Sequence, residues 1–198
     1  VSIFVELDNT PPTIEILYPS DGQVVGGVVN ISVNVTDAHN VNATLYINGS
    51  QKDSWTGSGV HNYTWDTTLY GDGPWEINVT SVDEVGNRAS TSIIVIVDNS
   101  KPTITFNAPA NNSYVSGVVT INVTVRDNNP GIFRIYINGT EVNSSTVFNK
   151  PYGYDWNTTE YVDGRYEVNV TAWDAAGNTN SKCIFVWVDN TPPTIIIT

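Results

Sequence analysis

The chain has 198 residues, 40% of them hydrophobic, and a formal net charge of −12 from 8 Lys and Arg against 20 Asp and Glu. That apolar fraction supports one or two globular cores and excludes a disordered chain, while the acidity argues against nucleic acid or an anionic membrane surface as partner. The longest aliphatic run, Ile93 to Val97, is too short to span a bilayer as a helix, and the single cysteine, Cys183, excludes an internal disulfide or a cysteine metal cluster.

From the N-terminus, residues 1–8 read as the last strand of a preceding repeat. The linker Asp8-Asn9-Thr10-Pro11-Pro12 leads into a strand at 13–17. Ile31, Val33 and Val35 alternate with Ser32, Asn34 and Thr36, which predicts a strand over 28–36 with one wet face. Strands at 43–47 and 50–55 flank Asn48-Gly49, the strongest two-residue hairpin signal. A strand at 63–68 carries Trp65, a candidate for core packing. Asp72-Gly73 marks a turn before a strand at 75–82, and a last strand covers 90–97. No stretch shows a helical apolar period.

The chain then repeats itself. Asp8-Asn9-Thr10-Pro11-Pro12 returns as Asp98-Asn99-Ser100-Lys101-Pro102 and again as Asp189-Asn190-Thr191-Pro192-Pro193. Tyr46-Ile47-Asn48-Gly49 matches Tyr136-Ile137-Asn138-Gly139, and Trp65 matches Trp156. The offset is 90 early and 91 late, so one inserted residue falls between Gly139 and Tyr154. The expected organisation is a complete domain over 9–98, a second over 99–189, and the start of another over 190–198, as a section of a longer tandem array. About seven short strands per repeat make an all-β fold of two tandem immunoglobulin-like β-sandwiches, held without the usual cysteine pair.

The pattern Asp72-Gly73-x-Trp75 through Asp83-x-x-Gly86-Asn87, closing on Val97-Asp98-Asn99, and its copy ending in Asp189-Asn190-Thr191-Pro192-Pro193, resembles the prokaryotic Ig-like repeats of large surface adhesins and cell-envelope proteins. The resemblance implies an extracellular, stalk-like or adhesive role, as in S-layer and other envelope proteins, with calcium in some relatives. The partners it implies are neighbouring Ig-like repeats, surface glycans or other envelope proteins.

Sandwich topology sends the linker and two loops to one pole. Asp8, Asp37, Asp83 and Glu84 should gather there in the first repeat, and Asp98, Asp127 and Asp174 at the junction with the second. Three carboxylates in one small volume repel unless they bind a proton or a cation. Calcium suits them, because it takes 6–8 oxygens in flexible geometry, and Asn87 or Asn178 could complete the shell. The other reading makes Asp-x-x-Gly-Asn a turn in which Asp bonds its own backbone, and the proline linker simply stiff.

Twelve Asn-x-Ser/Thr sequons (Asn30, Asn34, Asn42, Asn48, Asn62, Asn78, Asn111, Asn122, Asn138, Asn143, Asn157 and Asn169) stand against about five expected by chance. The excess points to a glycosylated surface protein, although alternation on a wet strand face supplies part of it. His39 and His61 have no counterparts in the second repeat and read as surface-loop residues. Cys183 reads as a small residue tucked near the sheet, and Trp55 and Trp75 as core. No catalytic site is legible. The leading reading is a non-catalytic spacer of a cell-surface protein. The alternatives are accessory domains of a secreted protease or glycoside hydrolase, or a carbohydrate-binding module, which needs an exposed aromatic strip in one domain.

Overall fold

The computed structural model describes residues 7–197. The chain separates into two compact units, Val1–Asn99 and Ser100–Thr198. The expected strand of a preceding repeat falls almost wholly outside the described residues. At the other end, residues 190–197 form no strand.

The first unit comprises β1 (Thr13–Tyr18), β2 (Val24–Val25), β3 (Val28–Thr36), β4 (Val41–Ile47), β5 (Ser50–Thr56), β6 (Gly59–Asp66), β7 (Gly73–Asp83) and β8 (Arg88–Val97). A three-stranded sheet, β1-β3-β6, faces a five-stranded one, β2-β8-β7-β4-β5. The pairing is antiparallel except for β2 against β8. Alternation decides which side chains go inside. Val29, Ile31, Val33 and Val35 of β3 are buried and their neighbours are not. Together with Val41, Leu45, Ile77, Val79, Val95 and Trp65 they form one core.

The second unit repeats this with β9 (Thr103–Ala108), β10 (Ser113–Val115), β11 (Val118–Arg126), β12 (Pro130–Ile137), β13 (Thr140–Ser145), β14 (Pro151–Asn157), β15 (Gly164–Asp174) and β16 (Thr179–Val188). Its sheets are β14-β11-β9 and β10-β16-β15-β12-β13. Ile121, Val123, Val125, Phe133, Ile135, Val168, Val170, Val186 and Trp156 form its own core.

Two details depart from the expected strands. The short β2 and β10 were not expected, because segments of two or three residues carry no period. The strand expected at 63–68 ends at Asp66, whose carboxylate accepts the Thr68 N–H at 3.1 Å and turns the chain into a single 3₁₀ turn, Thr67–Leu69. The inserted residue falls within the expected window. With that one insertion, and with β13 and β14 each one residue shorter than β5 and β6, the two residues between β5 and β6, Gly57 and Ser58, become five, 146–150, between β13 and β14. That longer loop delivers Phe148 onto Phe133, ring centroids 5.8 Å apart.

Candidate functional site

At the pole where the leading linker meets the first unit, Asp8, Asp37 and His39 bring their ligating atoms within 4.8 Å of one another. Asp37 ends the loop side of β3, and its Oδ1 accepts the His39 N–H at 2.8 Å. Asp8 Oδ1 accepts the Thr10 N–H, and Asp8 Oδ2 lies 2.7 Å from His39 Nδ1. Asp83 and Glu84 do not join this group. Glu84 is exposed. The Asp83 carboxylate is turned onto its own loop instead. Oδ1 accepts the N–H groups of Val85, Gly86 and Asn87 at 3.0, 2.7 and 2.9 Å, and Oδ2 accepts Asn87 Nδ2 at 2.7 Å. Asn87 Nδ2 also reaches the Asp8 carbonyl at 3.3 Å, so this turn grips the leading linker. His39, expected as a bland loop residue, is thus part of the pole; the Asp-x-His spacing was the available signal.

The second unit builds the same turn. Asp174 Oδ1 accepts the Asn178 N–H and Oδ2 accepts Asn178 Nδ2, both at 2.8 Å. It is therefore the nitrogen of the Asn178 amide that meets this carboxylate. Asp127 Oδ1 accepts the Asn129 N–H at 2.7 Å, as Asp37 does with His39. Asp98 belongs to the first unit, just past β8, where its N–H donates to the Val25 carbonyl at 2.9 Å.

These hydrogen bonds set a pH dependence. Burial alone raises the Asp83 carboxyl, but the Asn87 side chain and the N–H groups of Asn87, Gly86 and Val85 outweigh it and hold the group below the usual carboxylate range. Asp163 is also lowered, by the Asn190 N–H and the Thr191 hydroxyl. A lowered folded-state value stabilises above the unfolded value of about 3.9 and is lost as pH falls below it. Urea midpoints should therefore be flat above about pH 5 and fall in the acid range below about 4. Asp83→Asn should flatten the acid limb of the first unit only. An unchanged acid limb would show that the turn carboxylate does not carry this stabilisation.

The opposite pole holds residues that sequence reasoning missed. Asn99 Oδ1 accepts from Gly27 N and Thr67 Oγ1, each at 3.0 Å, while its Nδ2 donates to the Thr67 carbonyl at 2.9 Å. Its own N–H donates to Asp72 at 2.8 Å. Asn190 does the same with Gly117, Thr158 and Asp163, at 3.1, 3.2, 2.9 and 2.7 Å. Thr67 and Thr158 are fully buried. Each outgoing linker is thus clasped to the 3₁₀ turn of the unit it leaves, Thr67–Leu69 in the first and Thr158–Glu160 in the second. The Asp-Asn-Thr/Ser motif ahead of the linker proline was the signal, read only as stiffness.

The remaining candidates sort plainly. His61 lies in β6, not a loop, bonded to Asp53 at 2.8 Å and stacked on Trp55. Cys183 is exposed on β16, not tucked in, because it falls on the outward phase of that strand. Trp55 and Trp75 both pack against the first core. None of the twelve sequon asparagines is buried. The strand positions Asn34, Asn78, Asn122 and Asn169 are half-buried, since outward neighbours flank them; Asn78 accepts from Ser90 and Asn169 from Ser181.

The sequence matches the bacterial Ig domain family over residues 12–85 and 102–170, and a bacterial Ig-like domain (group 3) over 150–198. No curated protein matches the chain. Among solved structures, the fibronectin(III)-like modules of Clostridium thermocellum CbhA align over 90% of this chain and 95% of theirs, with 22% identity and a TM-score of 0.56. An I-band fragment of titin aligns over 91% of this chain and 66% of its own, with 12% identity and a TM-score of 0.55. A bacterial ice-binding adhesin of 1.5 MDa aligns over 93% and 67%, with 20% identity and a TM-score of 0.45. At these identities the likeness is one of fold.

Proposed function

Because the chain belongs to the bacterial Ig domain family, we propose that it is a non-catalytic spacer segment of an extracellular, cell-surface protein. The observation that carries this reading is the duplicated clasp of Asn99 and Asn190, which ties each outgoing linker to the unit it leaves. A linker fixed at its root transmits tension and orientation, which is a spacer's task. The exposed sequons Asn30, Asn42, Asn48, Asn62, Asn111 and Asn138 support glycosylation of that surface. The sequence of the full parent chain tests the reading: further repeats of this length support it, and a catalytic domain beside these units would recast them as accessory modules.

Calcium is the proposed stiffener at the leading poles, held by Asp8 and Asp37 in the first unit and by Asp127 and Asp174 in the second. The carboxylates fit a hard cation. The fit is partial, since His39 Nδ1 shares the first pole and the Asp174 oxygens already accept from Asn178. An ion that binds only the folded state stabilises by about 2.7 kcal/mol at a hundredfold excess over Kd, and an extracellular module needs a Kd of only about 10⁻⁴–10⁻³ M. Millimolar calcium should raise the melting temperature and EDTA should reverse it, with Asp37→Asn and Asp127→Asn together removing the response. A melting curve indifferent to both additions would leave hydrogen-bonded turns and prolines as the stiffening elements.

A further inference from the structure

We propose that Tyr114 and Trp187 form a stacking site for a neutral saccharide on the second unit. β10 lies parallel to β16, with Tyr114 opposite Trp187. The two rings are 6.3 Å apart and inclined by 25°, and they are 75% and 39% exposed. Phe185 shares their outward face, half-buried, with the Arg165 guanidinium 3.7 Å over its ring. In the ladder Arg165 stands opposite Trp187 and Glu167 opposite Phe185. Two open aromatic rings therefore sit beside a guanidinium donor and a carboxylate acceptor.

The fold does not require these aromatics. In the first unit the same parallel pair is Val24 opposite Ile96, and Ile94 stands where the second unit has Phe185. Aliphatic side chains make the same strand pair, so the rings answer to something else. An aromatic face accepts the C–H face of a pyranose, which branched aliphatics do less well, and the hydroxyl groups at the sugar's rim need a donor and an acceptor together. Arg165 and Glu167 supply both. Charge narrows the occupant further. With 20 acids against 8 cations, the chain repels nucleic acid and a second copy of itself. Arg165 at the rim disfavours a cationic ligand. A neutral saccharide is the ligand that uses the rings and meets no net repulsion. The site is separate from the spacer reading, which survives its failure.

The test titrates the 198-residue chain with cellohexaose, mannohexaose and N-acetylchitohexaose by calorimetry, and follows tryptophan fluorescence. At least one should bind, and Trp187→Ala should weaken it by about tenfold or more, as loss of a stacked ring does elsewhere. Tyr114→Ala should also weaken it. Trp187→Phe should keep most of the affinity and abolish the fluorescence change, which separates lost stacking from lost folding. Absence of binding by all three sugars overturns the proposal, as does binding unchanged by Trp187→Ala. Self-association abolished by Trp187→Ala in sedimentation also overturns it, by making the rings a contact between copies.

Discussion

Trp156→Ala is expected to cost the second unit about 3–5 kcal/mol, the range for deleting a fully buried tryptophan. Trp156 is 1% exposed and packs edge-on against Tyr161 and Tyr166, with ring centroids 5.3 and 5.8 Å away. Those two tyrosines pack on each other, so removing the indole opens a gap that both rings line. The indole N–H finds no acceptor among the described residues, so the residue is held for its volume. Trp156→Phe, which keeps much of that volume and removes the orphan donor, should cost clearly less. Trp65 occupies the equivalent place against Tyr70 and Trp75. Since each unit closes its own core, calorimetry of the two-unit chain should show the transition of the second unit fall while that of the first stays put. A joint shift of both would mean that the units unfold as one.

Asn190→Ala comes next in size, at about 2–3 kcal/mol, from the cost of leaving buried partners unsatisfied. The substitution strips the acceptor from Gly117 N–H and Thr158 Oγ1 and the donor from the Thr158 carbonyl. Thr158 is fully buried, and its hydroxyl keeps only the Gly117 carbonyl, at 2.8 Å. Asn99→Ala should cost the first unit a similar amount through Gly27 and Thr67. A double-mutant cycle of Asn190→Ala with Thr158→Val should show coupling, because the two residues share one network. Urea denaturation reads both values. A cost below about 0.5 kcal/mol, the level of an ordinary surface change, would show that the linker is not clasped.

Much of this fold was legible because alternation on a half-wet strand is written directly in the residues. The strand containing Ile31, Val33 and Val35 begins and ends where expected, at Val28 and Thr36. The hairpins at Asn48-Gly49 and Asn138-Gly139 follow from residues that accept positive φ, here 44° and 47° at the asparagines. The site was harder. Asp83 and Asp174 were read as candidate ligands, and the same carboxylates also accept hydrogen bonds from their own turns, a local role that the sequence offers equally well. The clasp was missed because the partners of Asn99 and Asn190 lie far back in the chain, and a linker motif carries no mark of them. The exposed aromatic pair was missed because it needs β10, a strand too short to announce itself. Trp55 and Trp75, read as core, do pack inward.

Single-molecule stretching of the two-unit chain between its ends tests the spacer reading most directly. Two autonomous β-sandwiches with clasped linkers should give two separate unfolding events, each lengthening the chain by on the order of 300 Å for a repeat of roughly 90 residues. Asn99→Ala and Asn190→Ala should lower the force of the first and second event respectively. One event releasing both units together, or smooth extension without a force peak, would contradict the reading of this chain as a tension-bearing spacer.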